Sequence, residues 1–328
     1  IVEAAMRLIA HNEERFPKKI RAGKSGKQKV RFQYFEDCYK ENAFLAEDIR
    51  QTVQNGVPLS EIAVLFRTNM QPRALMEYMV SANLAFQTKD RIPDIYEHWI
   101  ARDFFTYIRI AQGSDSRADF LSIMNRPKRY ILPDETVCFD EWMKLYEEQP
   151  WIAERIEKLW YDLKHLSRLS PYAAINYIRR GIGYDDYLAE YAEYRNANKE
   201  DFYEVADEIL ASAKGYRTFE EWFAHIEEYR QELKRLAQEK RRNQNAVTFA
   251  TLHSAKGLEF TKVYLIDVNE GVMPYKKAVL KQDVEEERRL FYVGMTRAKE
   301  SLTICSVKKM RGKEVELSRF IKEAGKEP

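Results

Sequence analysis

Four short apolar runs constrain this chain more than anything else in it: IAVLFRT (62–68), AVTFATL (246–252), KVYLIDV (262–268) and SLTICSV (301–307). Apolar stretches of this length read as strands covered on both sides, the condition of strands in a parallel sheet. A fifth segment, VRFQYF (30–35), sets Val30, Phe32 and Tyr34 in strand alternation. Helical stretches separate them at 40–55, at 72–84 behind Pro72 and at 285–300. Such strand–helix alternation predicts an α/β fold, a parallel sheet with helices on both faces.

All of these runs lie toward the two ends of the sequence, and the centre reads differently. Residues 95–243 show almost no strand alternation; they are helical, rich in Tyr and Trp, and broken by NRPKRYILP and RRGIGYDD. The best-marked helix begins at Thr218, with Glu221 three residues on as a capping box. Phe219, Trp222, Phe223, Ile226, Tyr229, Leu233 and Leu236 form its apolar stripe. A chain of 328 residues exceeds the usual single core. The expected organisation is an α/β lobe in two parts, 1–94 and 244–328, interrupted by an all-helical domain at 95–243. The opening IVEAAMRLIAHNEERF is a helix pattern with neither an initiator Met nor an N-cap, and reads as a piece of something longer.

The formal net charge is only +2, so overall basicity does not argue for nucleic acid. PKKIRAGKSGKQKVR (17–31) and KRLAQEKRR (234–242) are local basic stretches, either solvated segments or phosphate contacts. Cys38, Cys138 and Cys305 are far apart and form no CxxC pattern, which points to a reduced, cytoplasmic setting. No secretory pattern and no apolar run near membrane-spanning length is present.

A search for a phosphate site finds half of one. Gly23-Lys24-Ser25 matches the end of a P-loop, but the required earlier glycine position holds Lys18, and a strand rather than a helix follows. No apolar strand ends in a paired acid suited to magnesium. TLHSAKGLEF (251–260) is more informative, because His253, Lys256, Gly257 and Glu259 share one short connection between two apolar runs. Gly257 permits a sharp turn with exposed N–H groups, Lys256 can meet a phosphate, and Glu259 can accept from sugar hydroxyls. At the carboxyl edge of a parallel sheet such a loop lies where α/β folds place ligands; the alternative is an ordinary crossover with a surface Lys–Glu pair. In the 285–300 helix, Arg297 follows Leu290, Val293 and Gly294 on one face. A cation there either pairs with a buried acid or points across a domain boundary toward a γ-phosphate, as an arginine finger does.

Two long stretches in order, VTFATLHSAKGLEFTKVYLIDVNEGVMP (247–274) and EEERRLFYVGMTRAKESLTI (285–304), closely resemble the fifth and sixth helicase motifs of the UvrD/Rep/PcrA family. IAVLFRTNMQPRALMEYMVSANLAFQ (62–87) and the terminal SRFIKEA (318–324) are similar to further segments of that family. The resemblance implies superfamily 1 DNA helicases that move 3′ to 5′ on single-stranded DNA. Their ATP and Mg2+ lie between two RecA-like lobes, and the enzymes engage single-strand/duplex junctions and repair or replication proteins. This chain would be the second lobe (2A) carrying the helical 2B insertion. The N-terminal lobe, with most of the ATP and Mg2+ ligands, would lie upstream in the parent chain.

Matched by position, the resemblance gives Arg297 the γ-phosphate contact and catalytic role, and Gly257 and Glu259 the nucleotide side. It gives Arg67, Thr68, Asn69, Thr251, His253 and Lys256 the DNA-facing and coupling side. Tyr130 and Leu132 stand where the family carries the glycines of a Gly-Ile-Gly turn near duplex backbone, and bulky residues there would limit backbone approach. The GIG at 181–183 falls where the family has an ordinary helix end, and KKMRGKEVE (308–316) lacks the family's aromatic. The expected function is the C-terminal motor half of an ATP-dependent DNA helicase, inactive alone. The alternatives are a catalytically silent DNA- or protein-binding lobe, which would need neither Glu259 nor Arg297, and the helicase lobe of a helicase–nuclease.

Overall fold

A computed structural model describes residues 1–13, 30–90, 94–132, 139–239 and 245–325. The basic stretch 17–31 lies outside them except for Val30 and Arg31, and so do residues 240–242 of the second. The chain opens with α1 (Val2–Ile9), β1 (Val30–Asp37), α2 (Cys38–Gln54), β2 (Ile62–Phe66), α3 (Arg73–Ser81) and β3 (Phe86–Thr88). Eight helices follow: α4 (Trp99–Ala111), α5 (Arg117–Ile123), α6 (Phe139–Leu145), α7 (Pro150–Leu166), α8 (Pro171–Arg180), α9 (Tyr184–Tyr194), α10 (Lys199–Ser212) and α11 (Phe219–Glu239). It closes with β4 (Val247–Thr251), β5 (Phe260–Leu265), α12 (Lys281–Met295), β6 (Ala298–Met310), β7 (Lys313–Glu314) and α13 (Arg319–Ala324).

Two compact units result, Ile1–Pro93 with Glu232–Pro328, and Asp94–Gln231. The second division falls within α11, ahead of residue 243. In the first unit the sheet order is β1-β6-β5-β2-β4-β3, all parallel, with β7 folded back antiparallel on β6. Side chains of β2 divide by parity, as strand geometry requires. Ala63 and Leu65 join Leu8, Phe291, Met295 and Phe320 under α1, α12 and α13; Ile62, Val64 and Phe66 join Leu45, Ile49 and Met76 under α2 and α3. Covering both faces is what made these strands legible as uninterrupted apolar runs.

The ends of the elements have local causes. Helix α2 starts where the Asp37 side chain accepts from Lys40 N at 2.9 Å. Strand β2 stops at Phe66 because the next two N–H groups, of Arg67 and Thr68, turn to the Gln71 side chain at 2.8 and 2.7 Å. Helix α12 begins at Lys281 and ends at Met295, earlier at both ends than the sequence predicts, because β6 takes over from Ala298. The short strands β3 and β7 were not legible as apolar runs.

The second unit contains α4–α10 and α11 as far as Gln231 and, among its described residues, no strand. Its core is aromatic: Trp222, Tyr107, Phe104 and Tyr184 are fully buried, and Phe105 meets Trp222 edge-on with centroids 5.6 Å apart. Around Asp103, phenol and guanidinium groups are satisfied internally. Tyr184 donates to Asp103 Oδ2 at 2.5 Å, and Arg126 donates to the same carboxylate at 2.8 and 3.0 Å. Burial raises the Asp103 pKa, while those two donors pull it back. Gly181 caps α8 and Gly183 precedes α9 with φ +90°, so the GIG at 181–183 is a helix–helix turn. No described helix is long and apolar enough to cross a membrane.

Gly294 shows how tightly α12 sits on the sheet. A Cβ there would overlap Leu252 Cδ2 and meet Leu265 Cδ2 at 3.3 Å, and both leucines are buried. Gly294→Ala is therefore expected to lower stability by about 1–3 kcal/mol, the cost of overpacking. Urea denaturation measures it; an unchanged midpoint would show that the leucines can yield.

Candidate functional site

The residues singled out by the sequence separate onto two ends of one sheet. Strands β2 and β4 end at Phe66 and Thr251, so Arg67, Thr68, Asn69 and Thr251 stand at the carboxyl edge. Strands β5 and β6 begin at Phe260 and Ala298, which are register partners, so Glu259 and Arg297 stand side by side at the amino edge. The 252–259 connection thus starts at one edge and finishes at the other. This corrects the expectation that its ligand-facing groups all lie at the carboxyl edge: only its first residues do.

At the amino edge, Arg297 holds the end of that connection twice. Its carbonyl accepts from Phe260 N at 2.9 Å, and its Nη1 donates to Leu258 O at 2.9 Å. Nε donates to Val293 O at 3.0 Å and Nη2 to Thr296 Oγ1 at 3.1 Å. All three acceptors are neutral, and no carboxylate among the described residues pairs with it. Of the two readings of this cation, the buried acid partner is absent. A guanidinium has five N–H donors, so two remain for a ligand. Glu259 is exposed, as are Lys256 and Gly257. Gly257 has φ +84° with no heavy atom within 4 Å of a hypothetical Cβ, so its glycine serves backbone conformation and not close packing.

At the carboxyl edge the loop after β2 is held from within. The Gln71 side-chain oxygen accepts both N–H groups noted above, and its Nε2 donates to Asp267 Oδ2 at 3.3 Å. Thr251 N donates to Asp90 Oδ2 at 2.7 Å, Ser254 N donates to Thr251 Oγ1 at 3.2 Å, and Ser254 Oγ donates to Asp90 Oδ1. His253 is exposed. The side-chain oxygen of Asn69 is buried without a hydrogen-bond partner.

Arg67 already has a partner within the lobe. The resemblance puts it on the single-strand side, and in the structure its guanidinium is bound to Glu287 of α12. Nε lies 3.1 and 3.0 Å from the two carboxylate oxygens and Nη2 lies 2.8 Å from Oε1. The ring of Tyr275 covers the guanidinium at 5.1 Å, and Tyr275 N also donates to Glu287, at 3.0 Å. Doubly hydrogen-bonded guanidinium–carboxylate pairs are among the stronger polar contacts, and this one is mostly buried. Helix α12 therefore carries Glu287 toward one edge of the sheet and delivers Arg297 to the other. Eight helical rises from Glu287 to Met295 span about 12 Å, and Arg297 follows two residues beyond the helix end. The same helix is anchored by Arg288, which donates to Glu323 at 2.6 and 2.9 Å and to Asn12 Oδ1 at 2.6 Å.

Sequence reasoning missed Gln71, Asp90, Glu287 and a buried acid pair. Gln71 and Glu287 both lie inside quoted motifs, so position was available but partnership was not. Cys38 Sγ, Glu41 and Asp267 bring possible ligand atoms within 4.8 Å, the described group that could hold a metal. They already hydrogen-bond one another: Asp267 N donates to Glu41 Oε1 at 3.2 Å and Cys38 Sγ to Asp267 Oδ1 at 3.5 Å. Burial and the neighbouring Asp267 push the Glu41 pKa well up, and burial raises Asp267. The pair keeps a proton that two buried carboxylates could not both lose.

The profile of the UvrD-like helicase C-terminal domain family matches residues 1–146 and 154–309. The chain belongs to that family. Among UvrD-like relatives, YjcD of Bacillus subtilis is 28% identical over 98% of this chain and 44% of its own length. ATP-dependent DNA helicase PcrA of Staphylococcus epidermidis is 29% identical over 98% of this chain and 48% of its own length. ATP-dependent DNA helicase Rep of Escherichia coli is 27% identical over 98% and 52%. The chain spans about half the length of the curated relatives it matches, and its parallel sheet is the RecA-like lobe of UvrD-family helicases.

The buried acid pair has a signed consequence for stability. Glu41 binds its proton more tightly folded than unfolded, so its contribution is complete below the ordinary value of 4.5 and is lost as pH rises above it. Glu41→Gln is expected to flatten the fall in stability from about pH 4.5 upward, read by chemical denaturation at several pH values. A variant whose pH profile parallels the wild type would show that the pair does not retain its proton.

Proposed function

We propose that this chain is the C-terminal motor half of an ATP-dependent 3′–5′ DNA helicase. In this reading it is one wall of an ATP site whose other wall is the N-terminal lobe of the same parent chain, which supplies most of the ATP and Mg2+ ligands. The observation that carries the reading is Arg297: a partly exposed guanidinium beside Glu259, held by three neutral acceptors and neutralised by none. Such a group is pre-oriented by its own lobe and keeps donors for an anion, which suits stabilisation of charge on a transferring phosphoryl group. Glu259 would accept from the ribose, and Gly257 shapes the turn that presents it.

Arg67, Thr68, Asn69, Thr251, His253 and Lys256 form the strand-facing and coupling side. Two physical links support coupling of the edges: the 252–259 connection, which begins at one and ends at the other, and α12, which holds Arg67 through Glu287 and leads into Arg297. Single-stranded DNA and single-strand/duplex junctions are the proposed substrates, with repair or replication proteins as partners and the cytoplasm as location. The silent-lobe alternative leaves the uncompensated Arg297 without a purpose.

In the intact protein, Arg297→Ala is expected to lower DNA-stimulated ATP hydrolysis by about three to five orders of magnitude while single-strand affinity stays within a few-fold. Equal loss of binding and turnover would refute the finger assignment. Arg67 is tested through its partner. Glu287→Gln weakens the competing ion pair and is expected to tighten single-strand binding and steepen its salt dependence by about one phosphate contact. Unchanged affinity and slope would remove Arg67 from the DNA side.

A further inference from the structure

We propose that the helical unit carries a stacking platform for an unpaired base of single-stranded nucleic acid, built from Tyr130 and Trp151 and flanked by Lys128 and Arg155. The two rings are half exposed, at 48% and 49%, and lie 5.4 Å apart edge to face. Lys128 Nζ sits 4.8 Å from the Tyr130 ring, and the Arg155 guanidinium sits 5.2 Å from each ring. Among the described residues neither cation has a carboxylate partner, and Arg155 Nη1 is buried with no hydrogen bond at all. Exposed rings bracketed by two unneutralised cations suit a ligand that is both flat and anionic. A nucleic-acid strand offers a base face to the rings and phosphates to the cations. A base inside a duplex has no free face, so the geometry selects an unpaired one.

The segment that presents Tyr130 is built to hold it still. Asn125 Oδ1 accepts from Arg129 N at 3.2 Å and Ile131 N at 3.1 Å, while its Nδ2 donates to Ile131 O at 2.8 Å. The buried Arg129 donates to Ile123 O, Met124 O and the Tyr107 hydroxyl at 3.2, 3.1 and 3.1 Å. Leu132 N donates to Tyr146 OH at 2.7 Å. Inside this frame Tyr130 takes φ +63°, a left-handed conformation that costs a side-chain-bearing residue and that glycine accepts freely. A half-exposed ring on a disfavoured backbone does little for the core, and such outliers point to function.

The platform rests on the proposed DNA partner but not on the ATP side, and the experiment keeps the two apart. In the intact protein, a single strand carrying 5-iodouracil is irradiated and the crosslinked peptide mapped. Anisotropy is read in parallel with a base-bearing strand, an abasic strand and a blunt duplex over a salt series. The crosslink is expected at Tyr130 or Trp151. Tyr130→Gly and Trp151→Ala are each expected to weaken the base-bearing strand about tenfold, with an unchanged salt slope and little effect on the abasic strand. Trp151→Phe should restore most of the affinity, and Arg155→Gln should reduce the salt slope by about one. Tyr130→Gly eases the backbone, so its thermal midpoint should hold or rise, and lost binding then cannot be laid to misfolding. No crosslink at either ring, equal losses on base-bearing and abasic strands, or a loss confined to the duplex would overturn the platform. A wild-type protein that binds no strand would instead overturn the DNA reading itself.

Discussion

The connection from β4 to β5 is short for the distance it covers, and much of the lobe follows from that. Strand β5 is six residues long, so the sheet is roughly 17 Å tall there. Eight residues coiled as a helix would rise only about 12 Å, whereas an extended path can reach roughly 26 Å. Residues 252–259 therefore cross in a few hydrogen-bonded turns and not a continuous helix, with Leu252 and Ala255 buried in the core cluster that contains Phe291 and Met295 of α12. That packing is the reason position 294 carries no side chain. A longer, helical crossover would have set α12 farther from the sheet and broken the contact between Arg297 and Leu258.

Legibility followed coverage. Strands β2, β4, β5 and β6 stood out because both their faces are buried; β1 has no fully buried residue, and of its alternating trio Val30 and Phe32 are half-buried while Tyr34 is exposed. The three-residue β3 and two-residue β7 are held by neighbours and have no pattern of their own. The motifs at 251–260 and 285–300 located both ends of the candidate site, yet side-chain partnerships were invisible. Nothing in the order of residues tells that Arg67 meets Glu287, 220 positions away. For the same reason Glu41 and Asp267, on separate segments, gave no sign that they share a buried contact.

The helical unit shows a different economy. Its aromatic content supplies a core of interlocking rings whose hydroxyls need partners, and Asp103, Arg126 and Arg129 provide them from within. Those same groups rigidify residues 125–132. The turn that the family resemblance assigns to glycines therefore survives with Tyr130 in a left-handed conformation, at a local cost borne by the surrounding hydrogen bonds.

The Arg67–Glu287 pair bears on how firmly any polyanion could be grasped at the carboxyl edge. A phosphate oxygen arriving at Arg67 would have to displace a carboxylate already seated in two-point geometry, so the strength of the resident pair is subtracted from that of the new contact. A contact with its own resident rival is weaker than the same contact without one. The rival sits on α12, the helix that leads into Arg297 at the opposite edge of the sheet.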